Sequence, residues 1–205
     1  MFNQKGLLIV LSGPSGVGKG TVCSSLRHEQ EDIIYSVSAT TRNPRAGEID
    51  GTNYFFKTRE QFESMITNNE LLEWAEYVGN YYGTPRAFVE ETLNKGKDII
   101  LEIEVQGALK VKETYPDGIF VFLMPPSFEE LRSRIVHRGT ENPESLLNRM
   151  NVAKEELQMM RHYDYAVVND EVEKAVKRIQ SIIEAERLRK ERILPYYEQW
   201  LKEEI

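Results

Sequence analysis

Residues 7–21 read Leu7-Leu8-Ile9-Val10-Leu11-Ser12-Gly13-Pro14-Ser15-Gly16-Val17-Gly18-Lys19-Gly20-Thr21. The uninterrupted apolar run Leu7 to Leu11 has the character of a strand buried on both faces. The glycines at 13, 16 and 18 let the following backbone wrap tightly and aim successive N–H groups inward. A helical stretch then begins, with Val22 and Leu26 on one side, and its N-terminal dipole adds positive potential. This is a P-loop in its strand-to-helix setting, a cradle for the phosphates of a nucleoside triphosphate. The candidate cradle is Gly13, Pro14, Ser15, Gly16, Val17, Gly18, Lys19, Gly20 and Thr21, with Lys19 reaching the terminal phosphates. The residue after the lysine, usually a Ser or Thr that binds magnesium, is Gly20, so Thr21 or water has to serve.

Outward from the cradle, short apolar runs alternate with amphipathic helical stretches, which predicts an α/β fold built on a mainly parallel sheet. Strands are expected at Leu7 to Leu11, Ile33 to Val37, Ile99 to Ile103, Ile119 to Met124 and Tyr165 to Val168. Ser127 with Glu130 forms a capping box, Asn142 precedes Pro143 at a first helical position, and Asp170 with Glu173 starts another helix. From Pro143 to about Arg161, Leu146, Met150, Ala153, Leu157 and Met160 repeat every three or four residues and face the core.

Two segments break the alternation. Residues 38–84 are polar and aromatic, with Thr58 and Gln61 capping a short helix and two tyrosine-rich runs (Asn53 to Phe56, Tyr77 to Tyr82) that read as antiparallel strands. Residues 127–149 carry Arg132, Arg134, Arg138 and Arg149 around Gly139-Thr140, which suits a mobile arginine-bearing flap or a solvated helix face. The expected division is a core of 1–37, 85–126 and 150–205, an insert at 38–84 and a helical lid at 127–149.

Across its 205 residues the chain is 40% apolar and has 33 acidic against 26 basic residues, a net charge of −7. That balance excludes a nucleic-acid footprint made from global positive charge, so a polyanion has to be held by local chemistry. One cysteine, Cys23, fits a reducing compartment, and no apolar run is long enough for a membrane span or a signal-peptide core; a cytoplasmic protein is expected. The three histidines show no metal spacing. The tail beyond Ala185 ends in Tyr196, Tyr197 and Trp200, which leaves packing on the core or on a second subunit open.

A P-loop alone leaves kinase, GTPase and ATPase open. The nearest string to a GTPase base reader, Asn94-Lys95-Gly96-Lys97, lacks the required Asp. The strand at Ile99 ends in Glu102 and Glu104, where a carboxylate organises a magnesium shell, partners a cation or sits as surface charge. In Ser38 to Glu48, Arg42 and Arg45 lie three apart in a loop with Pro44 and Gly47, and two guanidinium forks converge well on a phosphate. Tyr54 and Tyr82 add hydroxyl donors, or pack in a sheet.

The chain resembles the guanylate kinase family. The resemblance is carried by Thr41-Arg42, Arg45, Glu48, Gly51 and Tyr54-Phe55-Phe56, then by Glu73-Trp74-Ala75, Gly79 to Gly83, Gln106-Gly107, Arg138-Gly139-Thr140-Glu141 and Val168-Asn169-Asp170. It spans Gly6 to about Ala185. It implies a P-loop NTPase core with a five-stranded parallel sheet, an α/β GMP-binding insert and a helical lid, and the reaction ATP + GMP giving ADP + GDP with Mg2+.

By the same resemblance Arg42, Arg45, Tyr54 and Tyr82 bind the GMP phosphate, and Ser38, Glu73, Thr84 and Glu104 belong to the GMP site. Thr84 is also expected to cap the helix beginning at Pro85. Asn169 lies near adenine. Lys19, Arg42, Arg134, Arg138 and Arg149 form the catalytic set, and Thr21, Glu102 or water holds the metal. Where many members have two aspartates, this chain has Glu102 and Glu104, one methylene longer. The competing readings are a scaffold domain holding a phosphorylated peptide, which needs no Lys19, and a P-loop kinase for another acceptor, which Glu73 speaks against.

Overall fold

The computed structural model describes residues 5–30, 32–77, 79–137 and 143–203. In chain order, β1 (Leu8–Ser12), α1 (Lys19–Glu29) and β2 (Ile34–Tyr35) are followed by β3 (Ala39–Thr40), β4 (Phe55–Phe56), α2 (Arg59–Thr67), β5 (Leu71–Tyr77) and β6 (Asn80–Pro85). Next come α3 (Arg86–Asn94), β7 (Ile99–Glu102), α4 (Val105–Thr114), β8 (Ile119–Met124), α5 (Phe128–His137) and α6 (Pro143–Gln158). A 3-10 turn (Met159–His162), β9 (Tyr165–Val168), α7 (Val172–Arg187) and α8 (Lys190–Glu203) complete it.

The main sheet has five parallel strands in the order β2-β7-β1-β8-β9. The two-residue period of β1 divides its apolar run between the faces. Leu7, Ile9 and Leu11 pack with Val22, Leu26, Ile179 and Ile183 of α1 and α7, whereas Leu8 and Val10 pack with Val89, Leu93 and Val111 of α3 and α4. Both faces are covered, which is why β1 tolerates no polar residue before Ser12.

A second sheet, in the order β4-β3-β6-β5, lies within residues 39–85. Phe62 of α2 fills its underside with Ala39, Leu71, Trp74 and Tyr81. The Thr58–Gln61 capping box is formed in both directions. The α4 helix joins the two sheets: it packs beside β5, and Lys110 Nζ donates to the Trp74 carbonyl at 2.7 Å.

Several expectations need correction. Of the two tyrosine-rich runs expected as antiparallel strands, Tyr77 to Tyr82 lies in antiparallel pairing, with Tyr77 of β5 opposite Asn80 of β6 and Gly79 at φ 73° in the turn between them, whereas Phe55 and Phe56 form β4, which pairs parallel to β3. Thr84 does not cap α3: Pro85 holds the N-cap position, and the Thr84 hydroxyl is spent on Glu73. Asp170 does not cap α7 either, because its carboxylate pairs with Arg178 at 2.7 Å. The stretch ending near Arg161 is α-helical only to Gln158 and tightens into the 3-10 turn. Cys23 is buried in the core, and burial pushes its thiol well up.

No helix among the described residues is long and apolar enough to cross a membrane. The tail is tied to the core by Arg192, which donates to the Asp117 carbonyl at 2.9 Å, while Leu194, Tyr197 and Leu201 remain exposed on α8.

At the opposite end of the sheet from the P-loop, Asp98 is buried. It accepts the Leu7 N–H at 2.8 Å and pairs with Arg187 of α7. Asp98→Ala leaves the Leu7 amide without its acceptor and Arg187 without its carboxylate, and is expected to cost about 2 kcal/mol of folding stability. The check is a lowered urea midpoint at unchanged slope.

Candidate active site

Strand β1 ends at Ser12, and the chain turns into α1 through Gly18, the N-cap residue, which holds the left-handed conformation at φ 98°. A side chain there would be strained by the backbone, and a Cβ would also lie 2.7 Å from Asn169 Nδ2, so that amide would have to shift. Lys19 is buried, and its Nζ crosses the loop to the carbonyls of Gly13 (2.7 Å) and Pro14 (3.4 Å), with Glu104 Oε2 at 3.4 Å.

The outside of the loop is braced through the Val17 carbonyl. Asn169 Nδ2 donates to it at 2.9 Å and Arg134 at 3.2 Å, and Arg134 also donates to the Asn169 carbonyl at 3.1 Å. These two residues therefore act on the loop as one unit. Arg149 of α6 donates to Ser15 Oγ at 3.1 Å. Arg138 lies outside the described residues.

On the insert, Arg42 is the most organised cation. Its guanidinium meets Glu48 through two bonds of 2.9 and 2.8 Å, donates to the Asn43 carbonyl at 2.7 Å, and lies 5.4 Å from the centre of the Tyr54 ring. Glu48 holds the arginine's pKa above its ordinary value, and Arg42 and the Arg45 N–H hold Glu48 below the usual carboxylate range. Glu48 thus shapes the loop that carries both arginines, a role that spacing alone did not reveal. The Arg45 side chain is exposed beside it. Tyr54 and Tyr82 meet edge to face at 6.1 Å.

Glu73 and Thr84 are cross-strand partners on β5 and β6, and the Thr84 hydroxyl donates to Glu73 Oε1 at 2.7 Å. Both are buried, and burial holds the Glu73 carboxyl above the usual carboxylate range against the opposing pull of Thr84 and Lys110. Gly107, near the start of α4, makes this packing possible: a Cβ there would lie 2.6 Å from Glu73 Oε2.

A cavity of about 260 Å³ joins these parts, lined by Lys19, Ser38, Tyr54, Glu73, Tyr82 and Glu104 among others. Glu102 also lines it. The Tyr35 hydroxyl donates to Glu102 at 2.7 Å, and a Cβ on Gly20 would lie 3.4 Å from Glu102 Oε1. Thr21 is exposed on the first turn of α1. Among the described residues, no group of three or more His, Cys, Asp or Glu could hold a metal ion. A larger cavity of about 530 Å³ lies at the far end of the sheet among Asp98, Glu186, Arg187 and Arg192, away from every residue of the cradle and insert named above.

A phosphate cradle at the end of the central parallel strand, facing a carboxylate-floored cavity, defines a P-loop nucleotide-binding protein with a second polar pocket. Comparison with known proteins narrows the class. The sequence profile of guanylate kinase matches residues 5–186. The chain is 67% identical to the guanylate kinase of Halalkalibacterium halodurans over 204 residues, covering 100% of both chains. It is 59% identical to that of Bacillus subtilis, covering 99% of this chain and 100% of the relative. The crystal structure of guanylate kinase from Anaplasma phagocytophilum superposes with a TM-score of 0.77 at 37% identity, over 92% of this chain and 90% of that one. The chain belongs to the guanylate kinase family.

The Glu73–Thr84 pair gives a direct electrostatic test. Thr84→Val removes the hydroxyl that offsets burial, so the Glu73 titration midpoint, followed by carboxyl-carbon NMR, is expected to move further up. A folded-state value above the unfolded one means that Glu73 favours the folded state at low pH. That contribution is lost as pH rises through the folded midpoint, and the loss is larger in Thr84→Val.

Proposed function

We propose that the chain transfers the γ-phosphoryl group of ATP to GMP or dGMP, giving ADP and GDP, in cytoplasmic purine salvage and GTP supply. The observation that carries this reading is the buried Glu73, held by Thr84, in the same cavity as Lys19. Guanine presents N1–H and a 2-amino group side by side, which one ionised carboxylate can accept together; adenine offers a bare lone pair at N1.

Residues 38–84 serve as the acceptor insert and 127–149 as the lid. Arg42, Arg45, Tyr54 and Tyr82 grip the acceptor phosphate, while Ser38, Glu73, Thr84 and Glu104 read or border the base. Residues Gly13 to Thr21 cradle the ATP phosphates, with Asn169 and Arg134 bracing the loop on the adenine side. The donor chemistry fits Mg2+: Thr21 and Glu102 supply hard oxygens beside the loop, and the space left by Gly20 is the one Glu102 faces. Bound there with the nucleotide, the ion would neutralise phosphate charge.

The acceptor is a phosphate monoester with a second pKa of about 6, so its attacking oxygen is already largely deprotonated at neutral pH and needs no general base. The protein's task is to bring two polyanions together in line. Lys19, Arg42, Arg45, Arg134, Arg138 and Arg149 do this by positioning and charge neutralisation, and closure of insert and lid excludes water.

In a coupled assay of ADP formation from ATP and GMP, Lys19→Ala is expected to lower turnover by at least about 10²-fold. Near-native turnover would remove Lys19 from the catalytic set. Glu73→Gln exchanges one acceptor oxygen for a donor, so GMP use should weaken and discrimination against AMP should fall in part. Unchanged selectivity would leave Glu73 a purely structural residue.

A further inference from the structure

Glu156 stands outside every role described so far. It lies on α6 seven residues after Arg149, two turns along the same helix face, and that face touches the tip of the P-loop. The Ser15 N–H donates to Glu156 Oε2 at 3.2 Å, and Ser15 Oγ accepts from Arg149 Nη2 at 3.1 Å. One helix therefore holds one loop residue with opposite charges. A carboxylate oxygen on a P-loop amide has the charge and hydrogen-bonding character of a phosphate oxygen.

Lys19 indicates which phosphate. Its Nζ lies on the carbonyls of Gly13 and Pro14, so the ammonium and the Ser15 N–H belong to the same end of the loop, the end that receives the terminal phosphates. Burial raises the Glu156 carboxyl and Glu104 adds to that, while the Ser15 N–H and Lys19 oppose it.

We propose that Glu156 is a positioning residue that imitates a terminal phosphate oxygen at Ser15, competes there with the γ-phosphate of ATP, and relays its displacement to α6 and Arg149. The inference rests on the ATP-binding reading given above. A third phosphate brings negative charge beside Glu156 and Glu104. Repulsion therefore falls on the triphosphate and spares the diphosphate, whose charge ends one phosphate earlier. Displacement of Glu156 removes one of the two hydrogen bonds between α6 and Ser15 described above. Arg149, already at Ser15, is then drawn by the phosphate that arrives, and the helix behind the lid responds to the third phosphate before any bond is broken.

The test is calorimetric binding of ADP and of the non-transferable β,γ-imido analogue of ATP, each with magnesium, to the full chain and to Glu156→Gln. Glutamine keeps the shape and an acceptor oxygen for Ser15 and removes the charge. The analogue is expected to bind the variant about fivefold more tightly and ADP to stay within about twofold, so the ratio of the two shifts by about fivefold. Glu156→Asp keeps the charge but falls one methylene short of Ser15, so its ratio should lie between those of the unmodified protein and Glu156→Gln. An unchanged ratio in Glu156→Gln would overturn the proposal. So would weakening of both nucleotides together with a lower unfolding temperature, which is what a simple strut between α6 and the loop would give. If the unmodified protein bound neither nucleotide, the ATP-binding reading itself would fall, a result distinct from either of these.

Discussion

The arrangement of the site depends on the parallel pairing of β1 between β7 and β8. Parallel strands end at one edge of a sheet, so whatever follows each of them is delivered to the same place. The pairing of Leu11 with Glu102 and of Ser12 with Phe122 places the cradle between the acidic end of β7 and the end of β8. The pairing of Met124 with Val168 brings Asn169 to the same edge, where its side chain reaches Val17. A slip of one residue in any of these ladders would exchange the faces of that strand and separate the lysine, the carboxylates and the amide.

Electrostatics explains how an acidic chain can hold polyanions. The negative balance is spread over the molecule, whereas the cations proposed to meet phosphate are few and fixed: Lys19 by loop carbonyls, Arg42 by Glu48 and Tyr54, Arg134 by the loop and Asn169. Most of these partners are acceptors that a phosphate oxygen can replace. Pre-organised cations lose little freedom on binding, which favours both affinity and in-line placement. At the other end of the acceptor cavity a carboxylate is buried at an electrostatic cost, and the donor from Thr84 together with the close approach permitted by Gly107 makes that burial tolerable.

Local pattern made much of this legible. Four of the five core strands follow from apolar runs of about the observed length and the cradle from glycine and lysine spacing, whereas the strand expected at Ile33 to Val37 is confined to Ile34–Tyr35 at the edge of the sheet. What stayed hidden was the pairing of short strands and the second partner of each polar side chain. Phe55 and Phe56 carry the β-prone aromatics that predict a strand, yet nothing in two residues says that its neighbour runs parallel. Thr84 before Pro85 reads as a cap because the cross-strand carboxylate that takes its hydroxyl is eleven residues away in sequence. Gly107 and Glu156 make their contacts across elements, with the seven-residue spacing of Glu156 from Arg149 on one helix as the sign of a shared face; Glu48 is local, bonding Arg42 and the Arg45 N–H six and three residues away, but loop composition does not specify that pairing.

The proposed function turns on the selection of guanine by a buried carboxylate on the insert, for a phosphate delivered by the P-loop. Its most direct test is the ratio of kcat/KM for GMP over AMP in the unmodified protein, with ATP and magnesium and with CMP, UMP and dGMP as further acceptors. A site built on hydrogen bonds to N1–H and the 2-amino group predicts that GMP and dGMP are used and that AMP is disfavoured by roughly 10⁴-fold. Comparable use of AMP, or turnover with AMP alone, would contradict it.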